Sequence, residues 1–230
     1  MNLFCALGYK EWVKTRRTIG VLVLLFSIVL VYTFIELTYA IRLDSAVNVW
    51  YAYLYQGVSV APLFAWLPLV AGLGIALTQF VPEITHKRLK LTLHLPADEN
   101  CILSNMLLYG LCILLLLFTV FGVILIGIGS LYLPAGILSR LGWQLLPWYT
   151  AGISIYGFTA WVCIEPQWKQ RIWNILTGGA GLSVLYLSLY PGVYAHFLTG
   201  SIAIAILSLL FPLYSCARFK TVFNNLRMIH

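Results

Sequence analysis

The sequence predicts an all-α integral membrane protein with six transmembrane helices and both termini in the cytoplasm. First, 61% of the 230 residues are apolar and 9% are charged, whereas a soluble domain is about half apolar and about a quarter charged. Second, the mean hydropathy is +0.92, so the charged side chains are too few to cover a soluble surface. Third, the apolar residues form runs near the roughly 20 residues that a helix needs to cross a bilayer.

The six runs are predicted to be helices, because hydrocarbon offers no partner to backbone polar groups and the runs do not alternate as barrel strands do. An amphipathic helix at the cytoplasmic interface (1–18) precedes the transmembrane domain (19–216), and a cytoplasmic tail (217–230) follows it. The predicted spans are Ile19–Ile41, Val58–Val81, Leu103–Ile128, Trp143–Cys163, Ile172–Tyr190 and Phe197–Cys216.

The distribution of basic residues predicts the orientation. All but two of the 14 Lys and Arg residues lie in the amino-terminal segment, in the loops after the second and fourth spans, and in the tail; the exceptions are Arg42 and Arg140. Basic loops stay in the cytoplasm, so we expect a multi-pass membrane protein with both termini in the cytoplasm. The net charge of +7 then faces anionic lipid head groups, and we do not interpret it as nucleic-acid binding.

The spans contain little that could perform chemistry. Glu36 is their one acid, and they hold no base, so an intramembrane enzyme is disfavoured. Glu36 lies near the outer end of the first span, where it either reaches outer head groups or belongs to a substrate pathway. No Cys-x-x-Cys spacing occurs among the five cysteines. The sequence therefore predicts no catalytic site and no metal site.

A patch of small residues in the fifth span would let another helix approach closely. Its glycines are Gly178, Gly179 and Gly181. The patch indicates either helix packing within the chain or a contact between two copies of the chain.

The loop between the second and third spans (82–96) mixes basic residues with regularly placed leucines. A simple connector would be polar and rich in glycine. Pro82 suits a first helical position, Glu83 suits the positive end of a helix, and Pro96 closes the segment. We predict a short surface helix, which either rests on lipid head groups or docks a cytosolic partner.

This loop resembles the one in permease subunits of ABC-2 type ATP-binding-cassette transporters, which are mostly exporters. In those permeases a Phe, a Glu, basic residues and a leucine-rich stretch ending in Pro run from span two toward span three. The amino terminus resembles theirs as well, since an amphipathic basic stretch runs into span one in Lys10-Glu11-Trp12 and Arg16-Arg17. The matching loop residues are Phe80, Glu83, Lys87, Arg88, Leu91, Leu95 and Pro96.

The resemblance implies an ABC-2 (type V-like) permease architecture, in which 82–96 is the coupling helix that binds a cytosolic ATP-binding-cassette ATPase. It also implies a pairing with a second copy or with a similar permease. The chain has no Gly-Lys dipeptide, so it lacks the phosphate-binding P-loop, and ATP and Mg would be bound by the partner subunit. The residues implied to contact the ATPase are Glu83, Ile84, His86, Lys87, Arg88, Leu91, Leu95 and Pro96.

The function expected from this resemblance is export of an amphipathic or hydrophobic substrate, driven by ATP that a separate subunit hydrolyses. Two alternatives remain open. One is a carrier that works without ATP, although such carriers need embedded charges or broken helices. The other is a membrane scaffold that recruits a cytosolic partner and transports nothing.

Overall fold

The computed structural model describes residues 3–85, 99–186 and 197–227. About 90% of these described residues are helical and none is in a strand, which confirms the all-α class. The helices are α1 (Leu3–Asp44), α2 (Ala46–Tyr55), a 3-10 turn (Leu63–Ala65), α3 (Leu67–Thr85), α4 (Glu99–Gly129), α5 (Ala135–Ile164), α6 (Trp168–Leu185) and α7 (Leu198–Arg227).

Within the residues that the structure describes, four helical segments are long and apolar enough to cross a membrane: Leu7–Asp44, Leu63–Thr85, Ile102–Gly129 and Leu198–Ser215. They indicate a membrane protein. The predicted fourth and fifth spans fall largely in α5 and α6, which are not among these four. The six-span topology therefore stays a prediction.

The long helices alternate in direction along the chain. The beginning of α1 meets the end of α3 through Lys14 and Glu83. The end of α6 meets the beginning of α3, where the Tyr186 hydroxyl donates to the Ala65 carbonyl at 2.9 Å. The starts of α1, α4 and α6 thus share one end of the bundle with the ends of α3, α5 and α7. We call it the basic end, because it carries Lys10, Lys14, Arg16, Arg17, Lys169 and Arg171.

Helix α5 is the centre of the bundle and packs on α3, α4, α6 and α7. It approaches α3 most closely at Gly152, where an added Cβ would lie 2.6 Å from the Pro68 carbonyl oxygen. It approaches α7 as closely at Gly157, where the Cβ would lie 2.6 Å from the Ser208 backbone. A helix surrounded by protein can carry polar residues because its neighbours supply hydrogen-bond partners. This explains how α5, which is not among the four apolar segments, can occupy the centre of the bundle.

Three boundaries differ from the sequence prediction. Helix α1 is continuous through residues 18 and 19, so the predicted interface helix and the first span are one helix. Pro82 does not begin a new helix but lies inside α3, which ends at Thr85; hydrophobic contacts and the ion pairs of Glu83 hold this last turn in place. Helix α7 continues past the predicted end of the sixth span, to Arg227.

Candidate functional site

Four charged side chains of α1 and α3 form a cluster at the basic end, directly before the predicted coupling segment. The Lys14 ammonium donates to Glu11 at 2.7 Å and to Glu83. The Lys10 ammonium lies 3.0 Å from the same Glu83 oxygen. Both carboxylates are buried, with exposed fractions of 2% for Glu11 and 1% for Glu83. We call these four residues the ion cluster.

The spacing of the charges on α1 explains why they meet α3. Lys14 is four positions after Lys10 and three after Glu11, so the three side chains share one face of the helix. The neighbouring Trp12 and Val13 are exposed. A buried carboxylate is stable only when it is paired and hydrogen-bonded. The packing of α1 on α3 therefore depends on the two lysines.

The ion cluster also contacts α4. The Thr15 hydroxyl lies 2.9 Å from the Tyr109 hydroxyl and 2.9 Å from the Glu11 carbonyl oxygen, to which it donates. One residue of α1 thus links the cluster to the helix that begins after the predicted coupling segment. The two helices that flank this segment, α3 and α4, are both tied to the same turn of α1.

The cluster has unused hydrogen-bonding capacity. Glu11 and Glu83 each keep one carboxylate oxygen that is buried and has no partner among the residues that the structure describes. A carboxylate can accept several hydrogen bonds, so each could bind one further donor. The two carboxylates and two ammonium groups form a charged joint between α1 and α3.

A second polar contact lies one helical turn deeper along α3. The Gln79 side chain donates to the Met106 carbonyl oxygen at 2.7 Å and accepts from the Tyr156 hydroxyl at 3.0 Å. Gln79 and Tyr156 are both fully buried. They join α3 to α4 and α5. Sequence analysis did not single out either residue, although a Gln four positions before Glu83 in an apolar run was a usable signal.

A further buried carboxylate joins the other three helices at the basic end. Glu165, which follows α5, accepts a hydrogen bond from the Ser215 hydroxyl of α7 at 2.6 Å. The Trp161 indole donates to the same hydroxyl at 3.1 Å. Arg171 of α6 donates to the Glu165 carbonyl oxygen at 2.6 Å. Glu165 lies between the predicted fourth and fifth spans, and a contact between residues 50 positions apart leaves no local pattern in the sequence.

Two of the eight predicted ATPase-binding residues, Glu83 and Ile84, lie in the described part of the chain. Glu83 is bound in the ion cluster, and Ile84 is half-buried at the end of α3. The others lie outside the described residues: His86, Lys87, Arg88, Leu91, Leu95 and Pro96.

The predicted pathway residue Glu36 lies away from the ion cluster, toward the opposite end of α1. Its side chain is exposed. Its charge acts on Tyr53 of α2, whose pKa is raised mainly by burial and further by the nearby carboxylate. Glu36 thus borders the aromatic surface of the short helix α2.

The predicted glycine patch faces two directions. A Cβ at Gly178 would lie 3.2 Å from Cβ of Phe158 of α5, and a Cβ at Gly181 would lie 3.2 Å from the ring of the same residue. A Cβ at Gly179 would meet nothing within 4 Å. Gly178 and Gly181 therefore support packing within the chain. Gly179 faces the outside of the bundle, and whether it contacts a second copy stays a prediction.

Leucine substitutions separate these roles. We expect Gly178→Leu to reduce the free energy of unfolding by about 1–3 kcal/mol, because the new side chain must displace Phe158. We expect Gly179→Leu to preserve it. Thermal unfolding and chemical cross-linking of both variants in detergent would measure stability and assembly. A loss of cross-linked dimer in Gly179→Leu alone would favour the dimer contact, whereas equal stability of the two variants would contradict the assigned packing.

The buried polar groups thus connect helices at one end of the bundle. Among the described residues, no three His, Cys, Asp or Glu side chains come together in a way that could hold a metal ion. The ion cluster is the candidate functional site, since it couples the two helices that flank the basic segment to α1. Comparison of the chain with protein-family models, with curated proteins and with solved structures finds no match.

Proposed function

We propose that the chain is the membrane-spanning subunit of an ATP-binding-cassette transporter of the ABC-2 type, located in a bacterial cytoplasmic membrane. It exports an amphipathic or hydrophobic substrate with ATP that a separate nucleotide-binding subunit hydrolyses. The coupling helix, limited to the part of 82–96 that follows α3, docks on that subunit. A second copy, or a similar permease, completes the pathway.

The observation that carries this proposal is the burial of Glu83 between Lys10 and Lys14. Glu83 lies on the last turn of α3, and the basic, leucine-bearing segment follows it within a few residues. A segment that only rests on lipid has no need for a buried charged joint at its root, since such a joint is costly to desolvate. A docking element that transmits force does need a rigid attachment to the helix that precedes it.

The contacts around Glu83 provide a route for such force. Movement of the coupling helix would pull on the end of α3, and the ion cluster would carry the movement to α1. The Gln79 and Tyr156 contacts would carry it to α4 and α5. Closure of the ATPase subunits around ATP would favour one arrangement of the helices and hydrolysis the other, as two-state transport by rigid-body motion requires.

Co-purification tests the proposal directly. The chain would be tagged, purified from its native cells and analysed by mass spectrometry for a bound ATPase. We expect an ATP-binding-cassette subunit to be recovered, and we expect Lys87→Glu with Arg88→Glu to reduce its recovery at least tenfold. The matched control is Arg16→Glu with Arg17→Glu, which makes the same change in charge at two exposed residues and should leave recovery unchanged.

The outcomes distinguish the alternatives. Full recovery of the ATPase with the Lys87 and Arg88 variant would contradict the coupling assignment. Transport by the purified chain without any ATPase would indicate an ATP-independent carrier. Recovery of an ATPase without ATP-dependent movement of any tested hydrophobic dye in proteoliposomes would indicate a scaffold.

A further inference from the structure

The short helix α2, at the end of the bundle opposite the basic end, is an element that the proposed function does not use. It contains no charged residue. On one side, Val49 packs in a small apolar cluster with Leu37 of α1 and Ile137 of α5. The opposite side presents a row of three exposed side chains, one at every fourth position, which we call the α2 row: Val47, Tyr51 and Tyr55.

The orientation of α2 is fixed by a contact with α5. The Arg140 guanidinium donates to the Leu54 carbonyl oxygen, in the last turn of α2, at 2.6 Å. The last carbonyl groups of a helix lack partners within the helix and carry partial negative charge, so a cation there is stabilising. Arg140 is one of the two exceptions to the distribution of basic residues along the chain. This contact makes it a positioning residue for α2.

The charges of α1 indicate the depth of α2 in a membrane. The 18 residues between Arg17 and Glu36 are all uncharged. At 1.5 Å per residue the two charges are about 28 Å apart along the helix, close to the roughly 30 Å of a hydrocarbon core. Glu36 thus marks the edge of the hydrocarbon away from the basic end. Its charge acts on Tyr53, so the end of α2 lies near this edge.

Exposed aromatic side chains of neighbouring helices lie at the same end. Tyr39 follows Glu36 by three positions on α1, and Trp143 follows Arg140 by three positions on α5. Tyrosine and tryptophan accumulate at membrane interfaces, because their rings favour the apolar side and their polar atoms favour water. The rings of Tyr51 and Tyr55, with centroids 5.1 Å apart, extend this aromatic band onto α2.

We propose that the α2 row lies in the phospholipid head-group layer of the leaflet opposite the basic end. The rings of Tyr51 and Tyr55 contact the upper parts of the acyl chains, and their hydroxyl groups bind phosphate and ester oxygens. Three side chains are too few for a stable contact with another copy, which takes roughly 20–30 residues a side. The inference does not depend on the proposed transport, because it requires only that the bundle spans a membrane.

Spin labels test the proposal. The full-length chain, with its five cysteines replaced by alanine, would be reconstituted in vesicles of phosphatidylethanolamine and phosphatidylglycerol. Tyr51→Cys and Tyr55→Cys would each carry a nitroxide. Its collisions with oxygen, which concentrates in the bilayer, would be compared with its collisions with a nickel chelate, which stays in water. Leu24→Cys, exposed near the middle of the uncharged stretch of α1, is the hydrocarbon reference, and Asp44→Cys, exposed at the end of α1, is the aqueous reference.

We expect the ratio of oxygen to nickel collisions at both tyrosine positions to lie between the two references, with Tyr55→Cys closer to Leu24→Cys. A ratio equal to that of Asp44→Cys would place the row in water and overturn the proposal. Low collision rates with both reagents would indicate a protein contact and would also overturn it. A ratio at Leu24→Cys no higher than at Asp44→Cys would contradict the membrane assignment itself.

The role of Arg140 has its own test in the same vesicles. Arg140→Leu should increase the mobility of the label at Tyr55→Cys, since α2 loses its contact with α5. Arg140→Lys keeps a charged donor and should retain most of the immobilisation. Arg42→Leu is the matched control, because Arg42 is exposed at the same end, and it should leave the mobility unchanged. Equal mobility in Arg140→Leu and the unmodified background would overturn the positioning role.

Discussion

Replacing Lys14 with methionine is expected to reduce the free energy of unfolding by about 3–5 kcal/mol, the usual cost of leaving a buried charge without its partner. Lys14 donates to both Glu11 and Glu83. Without it, Glu83 retains Lys10, whereas the buried Glu11 loses its 2.7 Å ion pair. The measurement is equilibrium unfolding in mixed micelles, followed by tryptophan fluorescence.

Two further variants show whether the loss comes from the unpaired charge. The double variant Lys14→Met with Glu11→Gln removes that charge and should recover more than half of the lost stability. Arg17→Met is the control, since Arg17 is exposed on the same helix, and its effect should stay within about 0.5 kcal/mol. If Lys14→Met costs no more than Arg17→Met, the ion cluster does not hold α1 on α3.

Adding one methyl group at Gly152 is expected to reduce the free energy of unfolding by about 2 kcal/mol or more. The new Cβ of Gly152→Ala would lie 2.6 Å from the Pro68 carbonyl oxygen and 2.8 Å from the Phe118 ring. A backbone oxygen cannot rotate away as a side chain can, so α3 and α5 must separate. Because α5 contacts five other helices, the separation affects the whole bundle.

The same substitution at Gly20 is the matched control. Gly20 is exposed on α1, and a Cβ there meets nothing within 4 Å. Alanine is favoured over glycine within a helix by about 0.5–1 kcal/mol, so Gly20→Ala should be neutral or stabilising. Unfolding of both variants in the same micelles measures the contrast. Equal stability of Gly152→Ala and the unmodified protein would contradict the close approach of α3 and α5.

The glycines show what a sequence pattern reveals about helix packing and what it does not. Three neighbouring glycines in the fifth predicted span drew attention as a site of close approach, and two of them do contact Phe158. The tighter approach lies at Gly72 and Gly152. Gly72 follows Pro68 and precedes Ala76 at steps of four, which is a small-residue spacing. The spacing is visible in the sequence, but which helix it meets is not.

Asn174 illustrates the opposite case. In the sequence it is one polar residue near the start of the predicted fifth span, where it would be expected to reach the head groups. In the structure it is buried, and its amide has no partner in the described part of the chain. Its environment is set by α3 and α5, which line one groove together with α6. No periodicity along α6 contains that information.

The sequence by itself determined that the protein is helical and belongs in a membrane, because both follow from the amount and continuity of apolar residues, which are local properties. It also predicted the positions of most helices and the side of the protein that carries most of the basic residues. Only the tertiary structure decided which charges are buried and paired, since Lys14 and Glu83 are 69 positions apart. Pairing of a buried carboxylate depends on what the fold brings beside it, and that is a property of the packed bundle.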